Sequence, residues 1–314
     1  MNDKTAFIFP GQGSQQVGML AALAAHESTV VETLTEASDV LGFDVKAMVF
    51  TGPAESLNTT ENTQPILLAC SIALWRLWLL HNGKRPDYVA GHSLGEYSAL
   101  AAAGTLQFAD ALQLVRDRGR YMQKAVPEGE GSMIAVLGLD PSMVTALCAE
   151  IAAEGEVLEP ANINAPTQVV VAGSVRAIKR AADRFVSAGA RRVIPLPVSV
   201  PSHCALMKTA ARNLCEDLQA ASMTAPLIPV VQNVSAKAES HVDTIRNNLV
   251  CQLYSPVLWV ESVRALIGYG VRQCMECGPG KILAGLGRQI DRTVPVTALD
   301  VESDTFLQCV NSQS

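Results

Sequence analysis

The pentapeptide Gly91-His92-Ser93-Leu94-Gly95 sets a serine between two glycines at the spacing G-x-S-x-G. A short strand is expected over Tyr88 to Ala90 before it and a helix over Glu96 to Ala103 after it, so Ser93 falls on a sharp strand-to-helix turn. Such a turn exposes the hydroxyl, and the following N–H, that of Leu94, points to where an oxyanion would form. A serine hydroxyl needs a base before it is a useful nucleophile. Of the five histidines, His92 adjoins the serine, and neighbours in extended chain point apart. His26, His81 and His241 lie at polar helix ends or in loops. That leaves His203, which follows a segment stiffened by Pro195, Pro197 and Pro201. Ser202 is placed to cap a helix starting at His203, and a helix N-terminus would keep the imidazole neutral. Between Ser93 and His203 no Asp or Glu announces itself as a third member, which leaves a backbone carbonyl to orient the imidazole in a dyad.

Two glycine-rich segments resemble nucleotide loops but do not meet the requirements. In Phe9-Pro10-Gly11-Gln12-Gly13-Ser14-Gln15 the third glycine of G-x-G-x-x-G would fall at Gln16, and in Gly278-Pro279-Gly280-Lys281 the next residue is Ile282 rather than a hydroxyl. The first loop follows the first strand, where a second oxyanion N–H is expected, and Gln12 is assigned to it.

Arg118 is the most informative charge. At 100° per residue along Phe108 to Lys124, Asp110, Gln113, Arg116, Asp117, Arg120 and Lys124 share one arc, and Arg118 falls amid Ala111, Leu112, Leu114, Val115, Gly119 and Met122 on the other. A cation aimed into a core needs an anion. The guanidinium fork suits a bidentate carboxylate, so a carboxylate-bearing substrate is one partner and a structural salt bridge to a distant Asp or Glu the other.

The elements that must position these residues alternate. Strand Thr5 to Phe9, helices Gln15 to Ala25 and Ser28 to Leu41, a long helix after Pro65, and the helix carrying Arg118 imply an α/β domain with a mostly parallel sheet covered on both faces. Beyond a linker at Val126 to Ser132 the order becomes strand Met133 to Gly138, helix Pro141 to Glu154, strands Val157 to Ile163 and Gln168 to Ala172, helix Val175 to Ala188, and strand Arg192 to Leu196. That βαββαβ order is the ferredoxin-like unit. The expected organisation is a doubly wound α/β domain of residues 1–126 and 200–314 with an inserted ferredoxin-like subdomain at 127–199. In the return, helices are expected at His203 to Ala220, Thr244 to Leu253, Pro256 to Gly268 and after Gly280, with strands at Ile228 to Val231 and Gln273 to Glu276. On the helix Val175 to Ala188, residues Val175, Ile178, Ala182 and Phe185 form an apolar stripe opposite Arg176, Lys179, Arg180 and Arg184, a solvated basic face or a docking face.

Bulk properties bound the alternatives. The 314 residues carry a net charge of −6 with 17% charged residues, against nucleic-acid or membrane-surface binding. Ile66 to Leu80, interrupted by Arg76, is shorter than the roughly 20 residues of a span and reads as a buried helix. The polar start and absence of a secretory apolar run suggest a cytoplasmic protein. Eight scattered cysteines fit free thiols in a reducing compartment, and Cys274 and Cys277 form a lone CxxC without a second ligand pair, so no metal is expected.

Taken as an ordered set, the Gln12 loop, Thr63-Gln64-Pro65, the elbow through Glu96, Arg118, Asn162 with Gln168 to Gly173, Pro197 to His203, and Gly278 to Gly280 resemble the malonyl-CoA:acyl carrier protein transacylases of bacterial fatty acid synthesis. The resemblance runs nearly end to end. It implies a hydrolase-like domain carrying a ferredoxin-like one, with the site in the cleft between them. It also implies Ser93 as nucleophile, His203 as base, Gln12 and Leu94 as oxyanion donors, the main-chain carbonyl of Gln252 as orienter of His203, and Arg118, Gln64 and Asn162 on the substrate. Malonyl-CoA and an acyl carrier protein would be the partners, with no metal or redox cofactor. Polyketide-type acyltransferases share most of these motifs; a serine thioesterase or carboxylesterase would use the same Ser93 and His203, and a noncatalytic carrier-binding scaffold would use neither.

Overall fold

The structure, a computed structural model, describes residues 3–152, 155–198 and 200–312. Among these residues the strands are β1 (Lys4–Phe9), β2 (Tyr88–Gly91), β3 (Gly131–Leu137), β4 (Leu158–Ala165), β5 (Gln168–Ser174), β6 (Arg192–Pro195), β7 (Val230–Val231), β8 (Ala238–Glu239), β9 (Val271–Glu276) and β10 (Val296–Ala298). Six form one sheet in the order β10-β9-β1-β2-β7-β8, parallel except for β8, which pairs antiparallel with β7. The central strands are apolar on both sides, as a sheet covered on both faces requires. In β1, Phe7 and Phe9 join the core beneath the helices Ser28–Leu41 and Thr60–Leu80, while Ala6 and Ile8 face the helices Trp259–Gly268 and Ile282–Ile290.

The remaining four strands form a fully antiparallel sheet in the order β4-β5-β3-β6. This is the strand order of the expected ferredoxin-like unit. Period-two alternation in β3 divides its labour: Ile134 and Val136 pack with Val144, Cys148, Ile178 and Phe185 of the two covering helices, and Met133 and Ala135 turn to the opposite face with Cys204. β4 is tied to the segment before the helix Trp259–Gly268, where the Ile163 N–H donates to the Val257 carbonyl and the Val257 N–H to the Ala161 carbonyl, both at 2.9 Å.

Several elements differ from expectation. The helix expected over Gln15 to Ala25 shrinks to Ala21–Ala24, because Leu20 takes a left-handed conformation (φ 58°) and ends the turn before it. The long helix starts at Thr60, not after Pro65, and holds Pro65 in its second turn. By length and composition Thr60–Leu80 could cross a membrane, but 83% of its apolar window is buried inside the fold, which makes it the core helix. The helix expected from His203 begins later, as a 3-10 turn at Ala205–Met207 continued by Lys208–Ala220. The linker ends sooner, since Gly131 and Ser132 already belong to β3. The helix Pro141–Ile151 is shorter than expected; its expected last residues, Ala153 and Glu154, lie outside the described residues, as do Ser199 at the expected subdomain boundary and Met1 and Asn2 of the polar start. Helices Val45–Phe50, Ala54–Leu57 and Ser303–Asn311 and strands β8 and β10 were not anticipated.

Candidate active site

The elbow is built as its glycines require. Ser93 sits at φ 53°, in the left-handed region that costs a residue with a Cβ, and its N–H is held by the Asn233 Oδ1 at 2.7 Å. A Cβ on Gly95 would run into the Phe9 carbonyl, so only glycine lets the helix Gly95–Ala102 approach β1 this closely. Asn233 also donates its Nδ2 to the Gly91 carbonyl at 2.6 Å, which ties both sides of the turn to the loop after β7.

His203 meets the serine from the return segment. Its Nε2 lies 2.7 Å from Ser93 Oγ, and its Nδ1 lies 2.7 Å from the Gln252 main-chain carbonyl. The carbonyl can only accept, so Nδ1 carries the proton and Nε2 is free to take one from the serine. His203 is at φ 62° and its N–H is held by the Leu253 carbonyl at 2.9 Å. The helix-terminus argument for its neutrality does not hold, because the residue precedes the helix and Ser202 turns back to the Val200 carbonyl. Burial pushes its pKa down to about 3, and the charge of Arg118 pushes the same way against the Gln252 carbonyl. His92, as expected, faces elsewhere: its Nε2 meets Asn164 Oδ1 at 2.7 Å and its ring sits edge-on to Trp259.

Arg118 reaches the same point from the helix Phe108–Lys124. A Cβ on the adjacent Gly119 would clash with Glu61 and the Thr60 carbonyl, so the glycine brings this helix against the first turn of Thr60–Leu80 and sets Arg118 beside Gln64. The guanidinium donates Nη1 to Gln64 Oε1 at 2.6 Å and Nη2 to Gln252 Oε1 at 2.9 Å, with Nη2 3.3 Å from Ser93 Oγ; it also lies 5.4 Å from the Tyr97 ring centroid. It is 1% exposed, and no carboxylate comes within ion-pair distance of it among the described residues. Among the described residues the distant-salt-bridge reading of Arg118 has no partner at ion-pair distance.

Gln12, Gln64, Ser93, Leu94, Arg118, Asn162 and His203 all line one cleft between the two sheets, with Met133 of β3 and Leu196 just beyond β6. Among the described residues no protein acceptor takes the main-chain N–H of Gln12 or Leu94, which leaves both available to an incoming oxygen. The Asn162 Oδ1 is buried without a hydrogen-bond partner among the described residues. The site also contains what composition and spacing did not single out: the Gln252 side chain, Asn233 and Glu96. Glu96 is visible as the residue three beyond Ser93, in the first turn of the following helix; nothing in the spacing of Asn233 marks it.

A strained serine on a strand-to-helix turn, a buried neutral histidine and free backbone N–H groups define a serine acyl-transfer site on an α/β sheet. The acyl transferase domain model matches residues 6–287. The chain belongs to the malonyl CoA-acyl carrier protein transacylase family of acyl transferases. It is 53% identical over 298 residues to the malonyl CoA-acyl carrier protein transacylase of Escherichia coli K12, covering 95% of this chain and 96% of that one, and 45% identical over 301 residues to that of Staphylococcus aureus MRSA252, covering 96% and 97%. Among solved structures, the transacylase of Coxiella burnetii superposes with a TM-score of 0.97 at 42% identity, covering 100% of this chain and 98% of that one. A malonyl-transacylase in complex with a type II polyketide acyl-carrier protein superposes with a TM-score of 0.96 at 48% identity, covering 98% and 99%.

Proposed function

We propose that the protein transfers a malonyl group from malonyl-CoA to the phosphopantetheine thiol of an acyl carrier protein, supplying the malonyl carrier for fatty acid synthesis. The observation that carries the reading is a buried guanidinium with no carboxylate at ion-pair distance among the described residues, 3.3 Å from the Oγ of a serine hydrogen-bonded to a neutral histidine. The names of the curated relatives and the carrier complex of the solved neighbour support it.

Ser93 Oγ attacks the thioester carbonyl as His203 Nε2 takes its proton, and the N–H groups of Gln12 and Leu94 hold the oxyanion. The intermediate collapses by breaking the C–S bond; coenzyme A leaves as a thiol with the proton from His203, and a malonyl ester remains on Ser93. The carrier thiol then gives its proton to His203, its sulfur attacks the ester carbonyl, and Ser93 leaves with that proton. Arg118 binds the malonyl carboxylate throughout, with Gln64 and Gln252 fixing the guanidinium, and Asn162 lines the same cleft beside the substrate. Each step balances without a metal or redox cofactor.

In this reading residues 1–126 and 200–314 are the catalytic body, residues 127–199 an insert that roofs the cleft, and the cytoplasm the compartment where both thioesters meet. Intact-mass measurement after brief exposure to malonyl-CoA tests it. A malonyl adduct on Ser93 that discharges to carrier is expected; an adduct on a cysteine, or release of free malonate faster than transfer to carrier, would return the protein to another chemistry or to the thioesterases.

A further inference from the structure

Glu96 has no part in the acyl transfer written above, yet its carboxylate is fully buried beside it. An acidic residue in the first turn of Gly95–Ala102 would favour that helix through its dipole. The dipole does not explain where the carboxylate points. Its Oε2 turns to other segments and accepts the Asn233 N–H at 3.0 Å and the Gln252 Nε2–H at 2.9 Å, while Oε1 has no hydrogen-bond partner among the described residues. No lysine or arginine forms an ion pair with it among the described residues. Burial is costly for such a group and pushes its pKa up to about 7, against the hydrogen bonds from Asn233 and Gln252 and the charge of Arg118.

What the carboxylate supplies is direction. A side-chain amide has a donor end and an acceptor end, and rotating it exchanges them. Ionised, the Glu96 carboxylate can only accept, and the Asn233 N–H already holds its Oε2 in place, so the Gln252 amide presents its nitrogen to it. Gln252 Nε2 is further fixed by the Ser93 carbonyl at 3.0 Å. The amide oxygen then has to face Arg118, where it accepts from Nη2 at 2.9 Å. Rotated the other way, the amide would set an NH2 group against the guanidinium.

We propose that Glu96 is a positioning residue for acyl selection: by fixing the sense of the Gln252 amide it aims Arg118 into the cleft. The inference rests on the reading of Arg118 as the carboxylate binder. Its test uses the full chain with Glu96→Leu, which fills the space without an acceptor, and Glu96→Gln, which keeps one. In Glu96→Leu, malonyl loading of Ser93 from malonyl-CoA should slow by about 5- to 100-fold, the range for buried donors left unmatched. Acetyl loading from acetyl-CoA and labelling of Ser93 by a fluorophosphonate should stay near wild type. Glu96→Gln should restore most of the malonyl rate. Should Glu96→Leu not fold, Glu96→Met takes its place. Equal losses for malonyl and acetyl in a variant that melts at the wild-type temperature, or no recovery in Glu96→Gln, would overturn the assignment. If malonyl-CoA loads nothing on the wild type, the functional reading has failed instead, and a crystal structure of Glu96→Leu decides the separate point: Arg118 displaced from Gln252 upholds the positioning role, and Arg118 unmoved removes it.

Discussion

Arg118 and the arginines of the helix Val175–Ser187 are the same residue type in opposite situations. Arg180 pairs with Glu156 and Arg184 with Glu150, and Arg176 keeps 85% of its side chain in water 3.8 Å from Glu156. Exposed pairs of this kind contribute roughly 0 to 1 kcal/mol. Arg118 is buried, donates hydrogen bonds to three uncharged side chains, and has no anion at ion-pair distance among the described residues. The difference teaches where to look for function: a charge at the surface needs no further explanation, whereas a cation that is desolvated and held by two amide oxygens next to a nucleophile is set up for a ligand that supplies the missing charge.

The largest effect should follow from removing Ser93, the proposed nucleophile. Ser93→Ala is expected to form no malonyl adduct and to lose transfer by roughly 10⁴-fold or more, read by intact mass and by carrier malonylation. The sharpest test of the comparison is Arg118→Ala. Truncating one partner of a desolvated charge pair costs roughly 2 to 5 kcal/mol, or about 30-fold to several-thousand-fold in malonyl transfer. Acetyl loading should be nearly unchanged or improved, because acetate carries no carboxylate to bind. An equal loss for both acyl groups would make Arg118 a structural residue and dissolve the contrast with the surface arginines.

Dryness of the cleft floor can be tested by pH. The pKa of His203 is pushed down to about 3 by burial and by Arg118, so the folded protein keeps the basic form of the imidazole well below the ordinary value. A solvated histidine would lose about 30-fold of its basic form between pH 7.5 and 5. Labelling of Ser93 by a fluorophosphonate, which needs the Ser93–His203 pair and not Arg118, is expected to keep its rate across that window. A decline centred near pH 6.5 would show that water reaches the imidazole.

Legibility from sequence follows the same division. The elbow could be read because its chemistry is local: Gly91, Ser93 and Gly95 are adjacent and their spacing is the geometry. Arg118 could be read because a helix has a fixed period, and a cation on its apolar arc stands out without knowledge of the rest of the fold. His203 emerged by elimination, but the reason given for its neutrality was misplaced, since φ 62° at His203 and the late start of the helix depend on the packing of the return segment. Asn233 and the side chain of Gln252 could not be singled out by spacing, because they reach Ser93 from 140 and 159 residues away and carry no periodic signal. The shortened helix at Ala21–Ala24 has the same origin: an apolar period predicts a helix, while a left-handed Leu20 interrupts it.

The smallest expected effect belongs to the surface arginines, which are the candidate docking face for an acidic carrier. Since Arg180 and Arg184 are already paired with Glu156 and Glu150, the net positive field of the helix is weaker than its sequence suggests, and Arg176 is the most exposed of the three. Arg176→Glu should therefore slow transfer from malonylated Ser93 to carrier by only a few-fold, on the order of the 1 kcal/mol available to an exposed charge, and the effect should fade when salt shortens the Debye length from about 30 Å at 0.01 M to about 8 Å at 0.15 M. Loading of Ser93 from malonyl-CoA should not change. The two half-reactions, measured separately at both salt concentrations in the wild type and in Arg176→Glu, separate docking from chemistry. A loss in both half-reactions would trace to the cleft, and no loss in either would leave the helix as a solvated face whose charges are spent on their own glutamates.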